Sequence, residues 1–322
     1  MKILVASAIH PDALEALEAN HDLVRAFNAP EDVLKEVIRD REILIFRSGV
    51  QITAAVMEQA PELKLLIRAG SGTDNIDLDY VRERGLKLVR IPGPGAKAVA
   101  EMAFGLMLAL ARNILPADQL TRQGRWAKHQ MTGYLLTEKV LGVVGAGNIG
   151  SRVGWMGAAW GMTVLGCVEH PTPEKEARLR EKGIRLTHCQ EVLSQADFVS
   201  IHVPLKENTR NLIDAQALAT MKPGAFLVNL ARGGVVDELA LRDALVRGHL
   251  RGAALDVHAQ EGEGKISPLA DLPNVVLTPH IGAGTFDSQA EIGRIILDTV
   301  TTFAQSQADG AAEPVGASPS TL

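Results

Sequence analysis

The chain has 322 residues, enough for two domains or one large one, and 46% of them are apolar, so a substantial core can be buried. A formal net charge of -5 with no cluster of Lys and Arg argues against nucleic acid as the main partner. The two cysteines, Cys167 and Cys189, stand far apart in no CxxC spacing; they offer neither a disulfide framework nor a zinc site and fit a reducing compartment.

The N-terminus enters a strand-like run, Lys2-Ile3-Leu4-Val5-Ala6, whose apolar part is too short for a signal peptide. Further strands are expected at Ile43–Phe46, Lys64–Ile67, Leu86–Arg90, Lys139–Val144, Thr163–Val168, Phe198–Ile201, Ala225–Asn229, Gly252–Leu255 and Val275–Leu277. Helical patterns alternate with them: Pro11–Glu18, Pro30–Arg39, Ala54–Gln59, Val153–Trp160, Glu174–Lys182, Ala215–Thr220 and Glu238–Arg247. Continuous apolar strands alternating with helices predict an α/β protein with parallel sheets covered on both faces. Ten strands are many for one sheet, so two doubly wound units are expected. The long patterns Ala98–Asn113 and Ser288–Gln305 would carry the chain from the first unit to the second and back. The longest apolar run, Ala98–Ala111, contains Glu101 and falls short of a membrane span, so a soluble cytoplasmic protein without a membrane partner is expected.

The run Leu141-Gly142-Val143-Val144-Gly145-Ala146-Gly147-Asn148-Ile149-Gly150 reads as a buried strand, a GxGxxG turn and the start of a helix. Gly145 permits the tight turn, Gly147 lets a pyrophosphate approach the backbone, and Gly150 lets helix and strand pack closely. Unpaired N–H groups at the helix start would hold the phosphates. This fingerprint normally marks the first strand of its unit, so the strands before it belong to a separate domain.

Several longer stretches accompany it. They are Arg68-Ala69-Gly70-Ser71-Gly72-Thr73-Asp74-Asn75, His202-Val203-Pro204-Leu205, Met221-Lys222-Pro223-Gly224, Asn229-Leu230-Ala231-Arg232-Gly233-Gly234, Leu255-Asp256-Val257 with Glu261, and Thr278-Pro279-His280-Ile281-Gly282. In this order they resemble the motifs of the D-isomer-specific 2-hydroxyacid dehydrogenases, from the first strand to about Gln305. The resemblance implies a Rossmann cofactor domain (98–285) inserted into a flavodoxin-like substrate-binding domain (1–97 and 286–306), with a disordered tail at 307–322. It implies an oxidoreductase moving a hydride between NAD(H) and a small D-2-hydroxy acid or 2-oxo acid, without a metal.

By the same resemblance His280 is the proton donor and acceptor, a task suited to a side chain that titrates near neutral pH. Glu261 fixes its tautomer, and Arg232 holds the substrate carboxylate with its planar fork. Asn148 and Ile149 face the pyrophosphate, Val203 the adenosine side or ribose, and Leu230 and Ala231 the nicotinamide. Asp256 partners the carboxamide, Gly282 is a further cofactor-binding position, and Ser71 and Gly72 lie near the substrate carboxylate and the nicotinamide. Taken singly, these residues also have plain readings: a loop-capping His280, a solvated acidic loop at Glu261, a strand-end turn at Asp256, a Gly/Ser turn at Ser71.

Two departures from the family pattern stand out. Val168 occupies the place of the ribose-binding Asp, leaving the adjacent Glu169 to bind the ribose; its charge would repel a 2′-phosphate, which favours NAD over NADP. In the hinge, Arg90 and Gly95 stand where many relatives carry Asn. Arg47 and Lys97 are candidate cations for an anionic substrate group. The segments Gln123-Gly124-Arg125-Trp126 and Gly133-Tyr134-Leu135 resemble those through which relatives form homodimers, and no regulatory domain is expected after the catalytic part. The alternative from another class is a nucleotide-sensing, co-repressor-like interaction protein.

Overall fold

A computed structural model describes residues 1–310. The chain divides into two compact units, one of Met1–Pro94 with the segment from Phe286 onward, the other of Gly95–Thr285.

The first unit is a five-stranded parallel sheet of β1 (Lys2–Val5), β2 (Asp22–Arg25), β3 (Ile43–Phe46), β4 (Leu65–Arg68) and β5 (Lys87–Arg90), in the order β2-β1-β3-β4-β5. This is the flavodoxin-like order. Alternate β1 residues serve opposite faces. Ile3 and Val5 pack with α1 (Pro11–Asn20) and α12 (Phe286–Gly310), while Leu4 and Ala6 pack with α2 (Glu31–Val37), α3 (Ala54–Met57) and α4 (Leu78–Glu83).

The second unit is a seven-stranded parallel sheet: β6 (Val140–Val144), β7 (Thr163–Cys167), β8 (Ile184–Leu186), β9 (Phe198–Ile201), β10 (Phe226–Asn229), β11 (Gly252–Leu255) and β12 (Val275–Leu277). Its order, β12-β11-β10-β9-β6-β7-β8, is the doubly wound dinucleotide-binding order with one strand added. Leu141 and Val143 of β6 bury against α5 (Gly93–Ala111) and α7 (Asn148–Ala159), and Val144 faces the cluster over α9 (Cys189–Gln195), α10 (Ala215–Thr220) and α11 (Glu238–Val246).

Two strands escaped the sequence reading. β2 and β8 are short edge strands whose residues are mostly half-buried or exposed, so they lack the apolar runs of the interior strands. α4, α6 (Ile114–Arg122) and α9 were also missed; α6 has no buried residue, and the other two are under eight residues long. α5 begins at Gly93, five residues earlier than expected, and its 19 residues are long and apolar enough to cross a membrane, with 61% of the span buried in the protein. Helix α12 continues through Gly310, which makes residues 307–310 of the expected tail helical: nothing in Ser306-Gln307-Ala308 breaks the pattern. The rest of that expected tail lies outside the described residues.

Phe226 ties the second sheet together. Its ring stacks on Phe198 with centroids 4.9 Å apart and meets the Tyr134 ring edge-on at 6.1 Å, while the Arg251 guanidinium lies 4.5 Å over Tyr134. Phe226→Ala is expected to cost about 3–5 kcal/mol, measured as a fall in the denaturation midpoint at unchanged slope.

Candidate active site

Strand β6 delivers the chain into the glycine turn. Gly145 has φ +92°, and a side chain there would strike the His202 carbonyl and Val203. A side chain on Gly150 would collide with the Gly145 carbonyl and meet Val143 at 2.9 Å, so close helix–strand packing requires glycine. Around Gly147, the residue before α7, there is open space, and no side chain caps the helix. The N–H groups of Asn148 and Ile149 therefore sit at an uncapped helix start, suited to an anion. A cavity of about 790 Å³ adjoins the turn, lined by Gly145, Gly147, Val168, Glu169, His202 and Val203 among others. The glycines and the open cradle fit a dinucleotide.

Val168, one residue beyond β7, packs on the core, and Glu169 reaches the cavity. Glu169 accepts a hydrogen bond from Asn208 Nδ2 (2.7 Å) and lies 3.5 Å from Lys206 Nζ. The Asn208 bond and the Lys206 charge hold its carboxyl below the usual range. Neither partner was legible in the sequence, because both come from the loop after β9, 37 and 39 residues away. Lys175 and Arg178 line the same cavity.

The ends of β10, β11 and β12 carry the remaining candidates. After β10, Asn229 folds the next loop: its Oδ1 accepts from Ala231 N (3.0 Å) and its Nδ2 donates to Arg232 O (3.1 Å). Leu230 and Ala231 are buried, and Arg232 Nη1 donates to the Ala231 carbonyl at 2.8 Å. Any side chain on Gly233 would overlap the His258 carbonyl, so the Arg232 loop lies directly against the segment leading to Glu261.

Asp256, 2% exposed, organises the loop bearing His280. Its Oδ1 accepts from Thr278 Oγ1 (2.6 Å) and Ile281 N (2.9 Å), its Oδ2 from Gly282 N (2.7 Å), and its carbonyl from His280 N (2.7 Å). These bonds hold His280 at φ +56°, a left-handed conformation that costs a non-glycine residue about 1 kcal/mol. A side chain on Gly282 would meet Asp256 Oδ2 at 2.8 Å. Asp256 thus anchors main-chain groups, a role the sequence reading did not assign.

His280 Nδ1 lies 2.8 Å from Glu261 Oε2, and Glu261 Oε1 accepts from His258 N at 3.2 Å. Burial pushes the Glu261 carboxyl up, but the His280 hydrogen bond and charge and the His258 N–H outweigh it and hold the carboxyl below its ordinary value. An ionised carboxylate only accepts, so its partner Nδ1 carries the hydrogen and Nε2 takes no part in that bond. The pairing persists above the usual carboxyl range and weakens only as pH falls through the lowered value. Glu238, 7% exposed, steadies the same loop by accepting from Ala259 N (2.6 Å).

In the first unit, exposed Ser71 and half-buried Gly72 follow β4. Asn75 Nδ2 donates to Arg47 O (3.1 Å) and Val50 O (2.6 Å), which fastens this loop to the one after β3. Arg47 is half-buried, no acid pairs with it among the described residues, and burial pulls its guanidinium below the ordinary value. Among the described residues no group of three or more His, Cys, Asp or Glu side chains could hold a metal.

Residues 104–282 match the family described as D-isomer specific 2-hydroxyacid dehydrogenase, NAD binding domain. The chain is 40% identical over 301 residues to a D-3-phosphoglycerate dehydrogenase of Methanocaldococcus jannaschii, covering 93% of this chain and 57% of that protein. It therefore spans little more than half the length of the phosphoglycerate dehydrogenases it matches. It is 36% identical over 302 residues to a hydroxypyruvate reductase of Thermotoga maritima, covering 93% and 97% of the two chains. Among solved structures, a D-lactate dehydrogenase of Aquifex aeolicus complexed with NAD and lactic acid superimposes with a TM-score of 0.83 at 29% identity, over 96% of this chain and 97% of that one.

His202, which lines the cavity, gives a pH-dependent stability term. Its Nε2 lies 2.7 Å from Ser200 Oγ, its Nδ1 is shut off from solvent, and burial pushes the ring down to about 3. Between the unfolded value near 6.5 and this folded value, the unfolded chain binds the extra proton. Stability from this group is therefore complete above about pH 6.5 and falls on acidification by up to about 1.4 kcal/mol per pH unit. Wild type should lose stability relative to His202→Gln as pH drops through this window, measured by urea unfolding at stepped pH.

Proposed function

The chain belongs to the D-isomer-specific 2-hydroxyacid dehydrogenase family, and on that premise we propose that it interconverts a small D-2-hydroxy acid and its 2-oxo acid with NAD(H). The observation that carries the reading is the 2.8 Å contact between His280 Nδ1 and Glu261. It leaves His280 Nε2 able to give a proton to the C2 oxygen during reduction and to take it back during oxidation. Arg232 grips the substrate carboxylate and polarises the C2 oxygen. NAD(H), when bound, supplies or accepts the hydride. The Gly145–Gly150 turn seats the pyrophosphate, Val203 flanks the adenosine, Leu230 and Ala231 flank the nicotinamide, and Asp256 and Gly282 support the carboxamide end.

The ionised Glu169 favours NAD over NADP, since it accepts a ribose hydroxyl and repels a 2′-phosphate. NADP has one specific support: Lys206 lies against Glu169, and Lys175 and Arg178 line the same cavity. A cytoplasmic homodimer completes the reading. Its unbridged cysteines suit a reducing compartment. Trp126 (84% exposed) and Leu135 (67%) expose apolar surface at the segments that resemble the relatives' dimer contacts.

Purified protein should consume NADH with at least one of a panel of 2-oxo acids, and NADH should outperform NADPH. His280→Ala and Glu261→Gln should each lower kcat about 10²- to 10⁴-fold while NADH still binds. Unchanged turnover in His280→Ala would remove the proposed proton transfer. Tight NADH binding with an inert panel would instead favour the nucleotide-sensing alternative.

Arg47, in the same unit as Ser71 and Gly72, suits a second anionic group on the substrate. Arg47→Gln should raise KM for a phosphorylated 2-hydroxy acid by about tenfold or more and leave KM for lactate or pyruvate near the wild-type value. An equal change for both substrates would remove this assignment.

A further inference from the structure

We propose that Cys167 and Cys189 form a dithiol site which a low-molecular-weight disulfide oxidises to an intramolecular bridge, and that this bridge and a dinucleotide in the adjoining cavity oppose each other. The first half stands on the pair itself; the second rests on the dinucleotide reading of the cavity.

The two cysteines are 22 positions apart in sequence, yet the fold brings them together. Cys167 is the last residue of β7 and is 7% exposed; Cys189 is the first residue of α9, half-buried and packed on the same core cluster. The Thr187 N–H donates to the Gly166 carbonyl (2.8 Å), so the chain just before Cys189 is held against the residue preceding Cys167, and both cysteines line the cavity beside the glycine turn. Donation from Cys167 holds the Cys189 thiol below its ordinary value; the same hydrogen bond, then burial, raises that of Cys167. Cys189, the more open and more acidic thiol, is the attacking group, and Cys167 stands behind it as the resolving one.

With oxidised glutathione the exchange balances. The Cys189 thiolate attacks one glutathione sulfur, forms a mixed disulfide and expels a glutathione thiolate. That thiolate takes the Cys167 proton, and the Cys167 sulfur attacks Cys189 Sγ and expels the second glutathione. Two electrons pass from the protein to glutathione, leaving one protein disulfide and two reduced glutathiones.

The bridge would reach the cofactor site through short connections. The Cys167 carbonyl accepts from Gly145 N (3.1 Å) and Ala146 N (3.0 Å), so the strand end that carries the thiol also holds the glycine turn. His188 and Cys189 form part of the cavity wall. Closing a covalent bond between the two sulfurs pulls the start of α9 toward β7 and changes that wall. By linkage, a dinucleotide that prefers the reduced wall must resist oxidation by the same factor.

The experiment equilibrates the purified full chain in glutathione buffers of stepped ratio, then alkylates it and weighs it intact. Wild type should lose both thiols together as a monomeric species lighter by two hydrogens. Cys167→Ser should instead retain one glutathione on Cys189, and Cys189→Ser should bind little. Two thiols that stay alkylatable across the series, or bridges only between molecules, overturn the dithiol site. NADH titration by fluorescence should then give a dissociation constant about fivefold or more higher for the oxidised protein, with no oxidant effect in Cys189→Ala. Equal affinity of the oxidised and reduced forms overturns the coupling. Failure of the reduced protein to bind NADH would overturn the dinucleotide reading and the coupling with it, while the mass measurement would still decide the dithiol.

Discussion

The candidate chemistry depends on one hydrogen bond, between His280 Nδ1 and Glu261 Oε2. A histidine exchanges protons usefully only when one ring nitrogen is committed and the other is free, and the carboxylate makes that choice. Both side chains stand on loops, so the bond is only as good as the loops. The His280 loop is held by Asp256 through four accepted hydrogen bonds, including the one to its own main-chain oxygen. The Glu261 loop is held by His258 N–H and by Glu238. The buried carboxylates of Asp256 and Glu238 therefore accept from backbone N–H groups and the Thr278 hydroxyl, and the part-exposed Glu261 is left to pair with the imidazole.

The sheet explains why these loops meet. In a parallel sheet every strand points the same way, so the loops after β6, β7, β9, β10, β11 and β12 open at one edge. Positions from Gly145 to Gly282 thereby lie along one edge of the sheet. The same constraint made much of the candidate site legible in the sequence. Each strand is a short apolar run, and the candidate residues follow it within a few positions: Gly145 after Val144, Arg232 after Asn229, Asp256 after Leu255, His280 after Leu277.

What stayed hidden has a common physical character. β2 and β8 lie at sheet edges, where burial is partial and the apolar signal fades. Lys206 and Asn208 act on Glu169 through space from another loop, and no local pattern announces such a meeting. The Cys167–Cys189 pair was hidden for the same reason, since spacing in a chain says nothing about sulfurs that β7 and α9 bring together. Asp256 was legible as a site residue but not as the anchor of the His280 loop, because its partners are backbone N–H groups and a threonine hydroxyl.

The departures from the family pattern meet different steric limits. The core positions around Gly145 and Gly150 allow no side chain, so the cradle for the pyrophosphate admits little variation. Val168 packs on the core, whereas Glu169 lines the cavity and meets Lys206 and Asn208 from the loop after β9. At Gly95 a Cβ would lie 3.3 Å from the Ala283 methyl, three residues beyond His280. An asparagine at this place would crowd the His280 loop, whereas glycine leaves that room open. The tightest steric limits thus fall on the glycine turn and on Gly282 beside His280, where any side chain would strike a neighbouring atom.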